Sequence, residues 1–256
     1  MKDSSQQLIG HLEELRSRAI KTALAFIGFL IAGLAFVKPI YEWLIRDLDT
    51  KLAILGPSDI LWVYLMIAAV FSLAATIPVA AYQIWRFVSP GLSPRERKVT
   101  VRFIPALFFL FIFGIGFGYF LLFPIVLGFL TTLSAGQFEM MFTAEKYFRF
   151  MLHLTVPFGL LFEMPLVIVF LTVLGILDPA KLKKSRRIAY FLLIVISVLI
   201  TPPDFLSDVL VILPLLLLYE ISITCSTIAY KKRASRSEES NAEQGQENLI
   251  LRSERT

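Results

Sequence analysis

The chain has 256 residues, of which 57% are hydrophobic and 18% are charged, and its mean hydropathy is +0.73. This composition is too apolar for a soluble domain and predicts an all-α integral membrane protein. The formal net charge of +5 does not indicate a nucleic-acid partner, because in a membrane protein the position of the charges matters more than their sum.

The residues that usually carry enzyme chemistry are scarce. Cys225 is the single cysteine, and His11 and His153 are the only histidines, so the sequence has no disulfide framework and no metal-ligand spacing. It also has no nucleophile elbow, no Walker-type glycine loop and no dinucleotide-binding fingerprint. We therefore expect neither an enzyme nor a bound metal or other cofactor.

The two ends of the chain are more polar than its middle. Residues 1–18 predict an amphipathic helix on the membrane surface, continuous with the first span, because Leu8, Leu12 and Leu15 recur at helical spacing. Residues 231–256 are rich in Ser, Glu, Gln and Arg, which predicts a disordered tail.

Between these ends, residues 19–230 predict a membrane domain with six transmembrane helices. The approximate bounds of the spans are 19–37, 61–85, 103–133, 150–177, 188–200 and 209–229. The fifth span has only thirteen apolar residues, or about 20 Å of helix, which is too short to cross an ordinary bilayer alone.

The basic residues predict the orientation of these spans. Twenty of the 25 Lys and Arg residues lie in the N-terminal segment, in the loops after the second and fourth spans, and in the tail. Six spans place these four segments on the same side of the membrane. Because basic segments stay in the cytoplasm, both termini are predicted to be cytoplasmic.

The segment FVSPGLSPRERK, residues 87–98, connects the second and third spans. Pro90 and Gly91 end the preceding helix, and the Ser93-Pro-x-Glu96 pattern starts the next one. Glu96 therefore has two interpretations: its carboxylate caps the helix, or it binds a ligand among the surrounding cations. From the sequence alone the capping role is favoured.

Two other carboxylates have similarly open interpretations. Glu14 can pair with Arg18 at i, i+4, and spacing alone favours this structural pair over a binding site. Glu163 lies midway along the fourth span, where a charged carboxylate costs roughly 2.5–3.5 kcal/mol on insertion scales. We therefore expect Glu163 to face the bundle interior or a water-filled cavity. Gly114 and Gly118 have the spacing of a close helix–helix contact.

Four motifs, in order along the chain, resemble the TatC family of twin-arginine translocase subunits. They are HLEELR (residues 11–16), FVSPGLSPRERK (87–98), FGLLFEMP (158–165) and TPPD (201–204). The resemblance implies a concave six-helix bundle with short fifth and sixth helices. It also implies a receptor for signal peptides with paired arginines, which exports folded proteins across the bacterial cytoplasmic membrane using the proton-motive force.

The resemblance also assigns roles to individual residues. Those implied in signal-peptide binding are Glu14, Arg16, Pro90, Leu92 and Glu96. Glu163 is implied as a functional polar residue within the membrane. The candidates for partner contacts are Pro202, Pro203, Asp204, Asp208 and Glu220; Asp208 stands where some relatives are expected to have a neutral amide.

The implied partners are membrane proteins and cargo rather than nucleic acid. They are a TatA-type single-span subunit, twin-arginine signal peptides, further copies of the chain and membrane lipid, and a separate TatB-type subunit is left open. An alternative function is a proton-coupled small-solute transporter in which Glu163 carries the proton and Pro202-Pro203 breaks a helix. No repeat between the two halves supports it. An intramembrane protease is a weaker third alternative, because a nucleophile–base or metal set is lacking.

Overall fold

The structure is a computed structural model that describes residues 2–46, 52–92, 94–134, 141–201 and 205–253. Within these ranges the chain is helical and contains no strand, apart from one isolated parallel bridge between Ala53 and Thr143. Five stretches are long and apolar enough to cross a membrane: Leu12–Ala35, Pro57–Gly91, Phe103–Leu133, Ala144–Val173 and Phe205–Lys232. The all-α prediction is confirmed.

The N-terminal part of the chain forms four helices. They are α1 (Lys2–Ala35), α2 (Val37–Ile45), α3 (Pro57–Val88) and α4 (Pro94–Thr100), with a 3₁₀ turn at Ser89–Gly91 between the last two. Helix α1 joins the predicted surface helix and the first span without a break. Asp59 caps α3 by accepting hydrogen bonds from the backbone amides of Leu55 at 2.9 Å and Gly56 at 3.1 Å.

The predicted third span is apolar throughout but is not a uniform α-helix. It consists of α5 (Phe103–Phe117), a π-helical turn at Gly118–Leu122, and α6 (Phe123–Ser134). Pro124 lacks a backbone N–H, and its ring would clash with the carbonyl of Phe120, four residues earlier, in a regular α-helix. A π turn at this place accommodates the proline.

The predicted fourth span, residues 150–177, lies mostly within one apolar stretch, Ala144–Val173, that is long enough to cross a membrane, but this stretch has a one-residue break. Helix α7 (Ala144–Phe162) ends before Glu163, and α8 (Met164–Val173) begins after it. The break follows from Pro165, which has no N–H to donate to the carbonyl of Leu161. Gly175 has a φ of 77°, a left-handed conformation that typically ends a helix and suits glycine.

The C-terminal part contains α9 (Pro179–Lys184), α10 (Arg186–Ile200) and α11 (Phe205–Ser253). Helix α10 has 15 residues, or about 22 Å; it covers the segment predicted as a short fifth span and is not among the five stretches long enough to cross a membrane. Helix α11 continues through the tail, where the composition predicted disorder. This part has no proline and is rich in Glu, Gln, Lys and Arg, which are good helix formers.

The core is formed by residues of α2, α3, α6, α7, α10 and α11, together with Leu122 in the π turn. Its fully buried side chains include Val63, Phe148, Phe158, Val211 and Leu215. By contrast, α1 packs chiefly on α3 and leaves most of its apolar residues exposed. The bundle therefore has a densely packed centre and one long helix attached along a single side.

Candidate functional site

Glu14 and Arg18 of α1 form an ion pair on the side of the helix that faces α3. Arg18 donates to Glu14 Oε1 through Nε at 3.1 Å and also through Nη2. The same Nη2 donates to the backbone carbonyl of Arg86, near the end of α3, at 3.4 Å. The Arg18 side chain is 13% exposed and that of Glu14 is 40% exposed. The predicted Glu14–Arg18 pair is therefore confirmed.

A cavity of about 710 Å³ lies between α1 and α3 next to this ion pair. Its walls are mainly apolar, and they include Leu15, Phe26, Ile84 and Phe87, with Arg18 among the lining residues. The arrangement combines an accessible carboxylate with an apolar groove. It can bind a ligand that has a cationic group followed by apolar side chains.

The turn between α3 and α4 is fixed by Trp85. The indole Nε1 donates to Thr100 Oγ1 at 2.9 Å, and the Arg97 guanidinium lies 5.6 Å from the centroid of the Trp85 ring. Helix α4 is therefore held against the end of α3 at two points. Pro90 in this turn is exposed and Leu92 is half-buried.

Glu96 belongs to α4, but its side chain lies outside the described residues, as does Ser93. The capping and ligand-binding interpretations of Glu96 therefore both stay predictions. Arg16 is exposed on α1, two residues from the Glu14 carboxylate. The structure thus brings Glu14, Arg18 and the α3–α4 turn together through the Arg86 carbonyl.

Glu163 occupies the break between α7 and α8. Both of its carboxyl oxygens are buried, and neither has a hydrogen-bond partner among the described residues. The backbone of Phe111 in α5 is close to the carboxyl group. This position agrees with the expectation that Glu163 faces the interior, and it is unusual because buried polar atoms normally have partners.

Two of the five candidate partner contacts, Asp208 and Glu220, have intramolecular partners. Thr201 donates a hydrogen bond to Asp208. Glu220 accepts from Arg186 at 2.8 Å and from Tyr190 at 2.5 Å, and its role as a partner contact stays a prediction. The other three candidates, Pro202, Pro203 and Asp204, lie outside the described residues.

Sequence reasoning missed the contacts that organise the α3–α4 turn. Trp85 and Thr100 are fifteen residues apart, and no local pattern pairs them. The hydrogen bond from Arg18 to the Arg86 carbonyl was also not predictable, because every residue has a backbone carbonyl and no sequence pattern marks one as an acceptor. Within the described part of the chain, no group of three or more His, Cys, Asp or Glu side chains could hold a metal ion.

A family model described as "TatC: Sec-independent protein translocase protein (TatC)" matches residues 10–214. The chain belongs to the TatC family. It is 64% identical to the Sec-independent protein translocase protein TatCd of Bacillus subtilis (strain 168), over 91% of this chain and 96% of that protein. It is 45% identical to TatCy of the same organism, over 91% of this chain and 93% of the relative.

Solved structures agree with this assignment. The crystal structure of a twin-arginine translocase receptor, TatC, matches with a TM-score of 0.74 and 33% identity, over 86% of this chain and 99% of that chain. A second, in the detergent DDM, matches with a TM-score of 0.75 and 34% identity, over 84% of this chain and 99% of the other. The chain is thus a protein translocase component, and its long apolar helices fit a multi-pass membrane protein.

Proposed function

We propose that the chain is the receptor subunit of a twin-arginine translocase and binds signal peptides that carry paired arginines. The observation that carries this proposal is the apolar groove between α1 and α3, next to the Glu14 carboxylate. Such a signal peptide has cationic side chains followed by an apolar segment, and the groove offers complementary surfaces in the same order. Glu14 and Glu96 bind the arginines, while Arg16, Pro90 and Leu92 surround them.

The free energies of ion pairs and of apolar burial indicate which contacts provide affinity for the peptide and which provide specificity. An exposed ion pair contributes roughly 0–1 kcal/mol, so two carboxylates alone do not hold a peptide. Burying one large apolar side chain contributes about 1.5–3 kcal/mol, and the groove has space for several. The apolar segment therefore provides most of the affinity. The carboxylates select arginine over lysine, because only a guanidinium can bind a carboxylate through two parallel hydrogen bonds.

In the membrane, α10 acts as a sixth, short span, and both termini face the cytoplasm. The basic loops that precede α5 and α10 then lie on the cytoplasmic side. The short α10 requires either a thinned bilayer or a partner helix that covers the mismatch. A TatA-type single-span subunit fits this place, with contacts to residues 202–209 and to Glu220. The assembled complex, which contains several copies of the chain, exports folded proteins across the bacterial cytoplasmic membrane using the proton-motive force.

The buried Glu163 carboxyl is a functional polar group in this proposal. Its two oxygens have no hydrogen-bond partner among the residues that the structure describes, and a buried polar group without a partner favours binding of a polar group from another molecule. A polar group of the cargo signal or of a partner helix satisfies them during transport.

A photocrosslinking amino acid at position 96 tests the proposal. In membranes that contain a precursor with a twin-arginine signal, we expect a crosslink to the signal peptide, and the crosslink should disappear when the two arginines are replaced by lysines. Crosslinks that do not depend on the arginines would contradict the receptor role.

The Glu96→Lys variant separates ligand binding from helix capping. We expect it to abolish export of a twin-arginine precursor while the protein stays in the membrane at normal abundance. A loss of abundance would instead support the capping role of Glu96.

A further inference from the structure

Arg18 occupies the carboxylate to which the proposed function assigns an arginine of the signal peptide. Both of its bonds to Glu14 end on the same oxygen, Oε1. The Arg18 guanidinium is the same chemical group as that of a signal-peptide arginine, but it belongs to the receptor chain. Its side chain is only 13% exposed, because it lies in the wall of the groove between α1 and α3.

A second Glu–Arg pair in the chain shows that an arginine at this spacing is not always buried. Arg149 and Glu145, at the start of α7, have the same i, i+4 spacing and a 2.5 Å contact, but Arg149 is 66% exposed. The spacing alone therefore leaves an arginine in solvent. Arg18 is covered because α3 packs beside it.

Arg18 also has a second acceptor within reach. Its Nη2 donates to the Arg86 carbonyl at 3.4 Å, and that carbonyl also accepts a bond from Ser89 Oγ at 3.1 Å. Arg86 lies in the last turn of α3, where carbonyl groups and the helix dipole favour a cation. If Arg18 leaves Glu14, it keeps a favourable partner at the start of the α3–α4 turn.

We propose that Arg18 is a placeholder arginine, which pairs with Glu14 in the empty receptor and moves onto the end of α3 when a signal arginine binds. The inference rests on the proposed function, since it requires that a signal arginine binds Glu14. A bidentate ligand needs both carboxylate oxygens, so Arg18 must give up Oε1. The exchange keeps Glu14 neutralised before a signal arginine binds. It then moves the charge of Arg18 to the α3–α4 turn, which directly precedes the helix that contains Glu96.

The test is the affinity of the purified full-length protein, in lipid nanodiscs, for a fluorescent Arg-Arg signal peptide at fixed ionic strength. Arg18→Gln removes the competitor, so we expect about two- to fivefold tighter binding, the range that corresponds to one partly exposed ion pair. Arg18→Lys should give a smaller change, because lysine still competes for Glu14 but lacks the forked geometry. Arg18→Lys keeps the positive charge at position 18, so it still tests the inference if Arg18→Gln folds poorly.

Two further variants separate competition from other causes. Lys21→Gln removes the same charge from the next turn of α1 and should leave binding nearly unchanged. Introduced together with Glu14→Gln, Arg18→Gln should lose its effect, since there is no carboxylate to compete for. Equal tightening by Lys21→Gln, no change, or weaker binding in Arg18→Gln would overturn the inference.

The wild-type protein distinguishes this failure from a failure of the proposed function. If the wild-type receptor binds an Arg-Arg peptide no better than its Lys-Lys counterpart, the signal-peptide site itself is wrong. If it prefers Arg-Arg but Arg18→Gln does not tighten binding, only the placeholder role is wrong.

Discussion

The contact between α5 and α7 is close at two glycines, whereas the contact between α1 and α3 is close at Gly33 but opens into a cavity beside Arg18. At the first, a Cβ on Gly114 would lie 2.7 Å from the Phe158 carbonyl oxygen, and one on Gly118 would lie 2.8 Å from the Thr155 Cα. At the second, a cavity of about 710 Å³ separates parts of the two helices. Close backbone contact gives a rigid wall, whereas an open groove leaves surface for a ligand.

The comparison predicts which substitutions should change stability and which should change the affinity of the proposed signal-peptide site. The Gly114–Gly118 spacing fixes the centre of the bundle. Along α1, large apolar side chains such as Leu24 and Ile31 stay exposed at 62% and 66%, and part of the helix faces the groove. Substitutions should therefore affect stability in the first region and affinity in the second.

The largest effect on stability is expected at Gly114. The Gly114→Ala variant places a methyl group against backbone atoms of Phe158 and Gly159, at 2.7 and 2.9 Å, which cannot move aside as a flexible side chain can. We expect a loss of about 1–3 kcal/mol, measured by thermal unfolding in detergent. The matched control is Gly28→Ala in α1, where no atom lies within 4 Å of the added Cβ, and stability should be unchanged or slightly higher. Equal losses for the two variants would contradict the contrast.

The second prediction compares two carboxylates. Because Glu163 is buried without a described partner, Glu163→Met should raise or preserve the free energy of unfolding, by as much as about 1–3 kcal/mol, while export falls. Glu220→Met should lower it, since Arg186 and Tyr190 lose their acceptor. Unfolding in detergent and export of a twin-arginine precursor measure the two properties. A destabilised Glu163→Met variant, or one with normal export, would contradict the functional role.

The third prediction concerns the α3–α4 turn. Trp85→Phe keeps an aromatic ring but removes the hydrogen bond to Thr100, so we expect a loss of about 0.5–1.5 kcal/mol in stability and weaker signal-peptide binding. Trp62→Phe, at the opposite end of α3 and 52% exposed, is the control and should change neither quantity. Normal peptide affinity in Trp85→Phe would show that the hydrogen bond does not position the turn.

The smallest effect is expected for the exposed ion pair of α7. Arg149→Gln removes a side chain that is 66% exposed, and it should alter unfolding by less than about 1 kcal/mol and leave peptide affinity unchanged. If Arg149→Gln changed the peptide affinity as much as Arg18→Gln, the proposed difference between the two Glu–Arg pairs in peptide binding would be contradicted.

The sequence predicted features that depend on local patterns or on strong solvation costs. Apolar run length gave the long helices, the Gly114–Gly118 spacing gave the close contact, and i, i+4 spacing gave the Glu14–Arg18 pair. Helix irregularities caused by the missing N–H of proline were harder to predict from the sequence. Pro124 and Pro165 were visible, yet whether each causes a π turn or a full break depends on neighbouring helices.

Contacts between distant residues were not predictable at all. Nothing in the sequence joins Arg18 to the Arg86 carbonyl, or Trp85 to Thr100, because these contacts exist only after α1 and α4 pack against α3. The groove between α1 and α3 is a space left by helix packing, so no sequence motif predicts it. The site was therefore suggested by family resemblance, and its apolar wall became visible only in the structure.

The most direct measurement of the central claim is equilibrium binding of matched Arg-Arg and Lys-Lys signal peptides to the wild-type protein, Glu14→Gln and the control Glu145→Gln. We predict that wild type and Glu145→Gln prefer the Arg-Arg peptide by about tenfold or more, and that Glu14→Gln loses most of this preference. Equal affinities of the wild-type protein for the two peptides, or an unchanged preference in Glu14→Gln, would contradict the account.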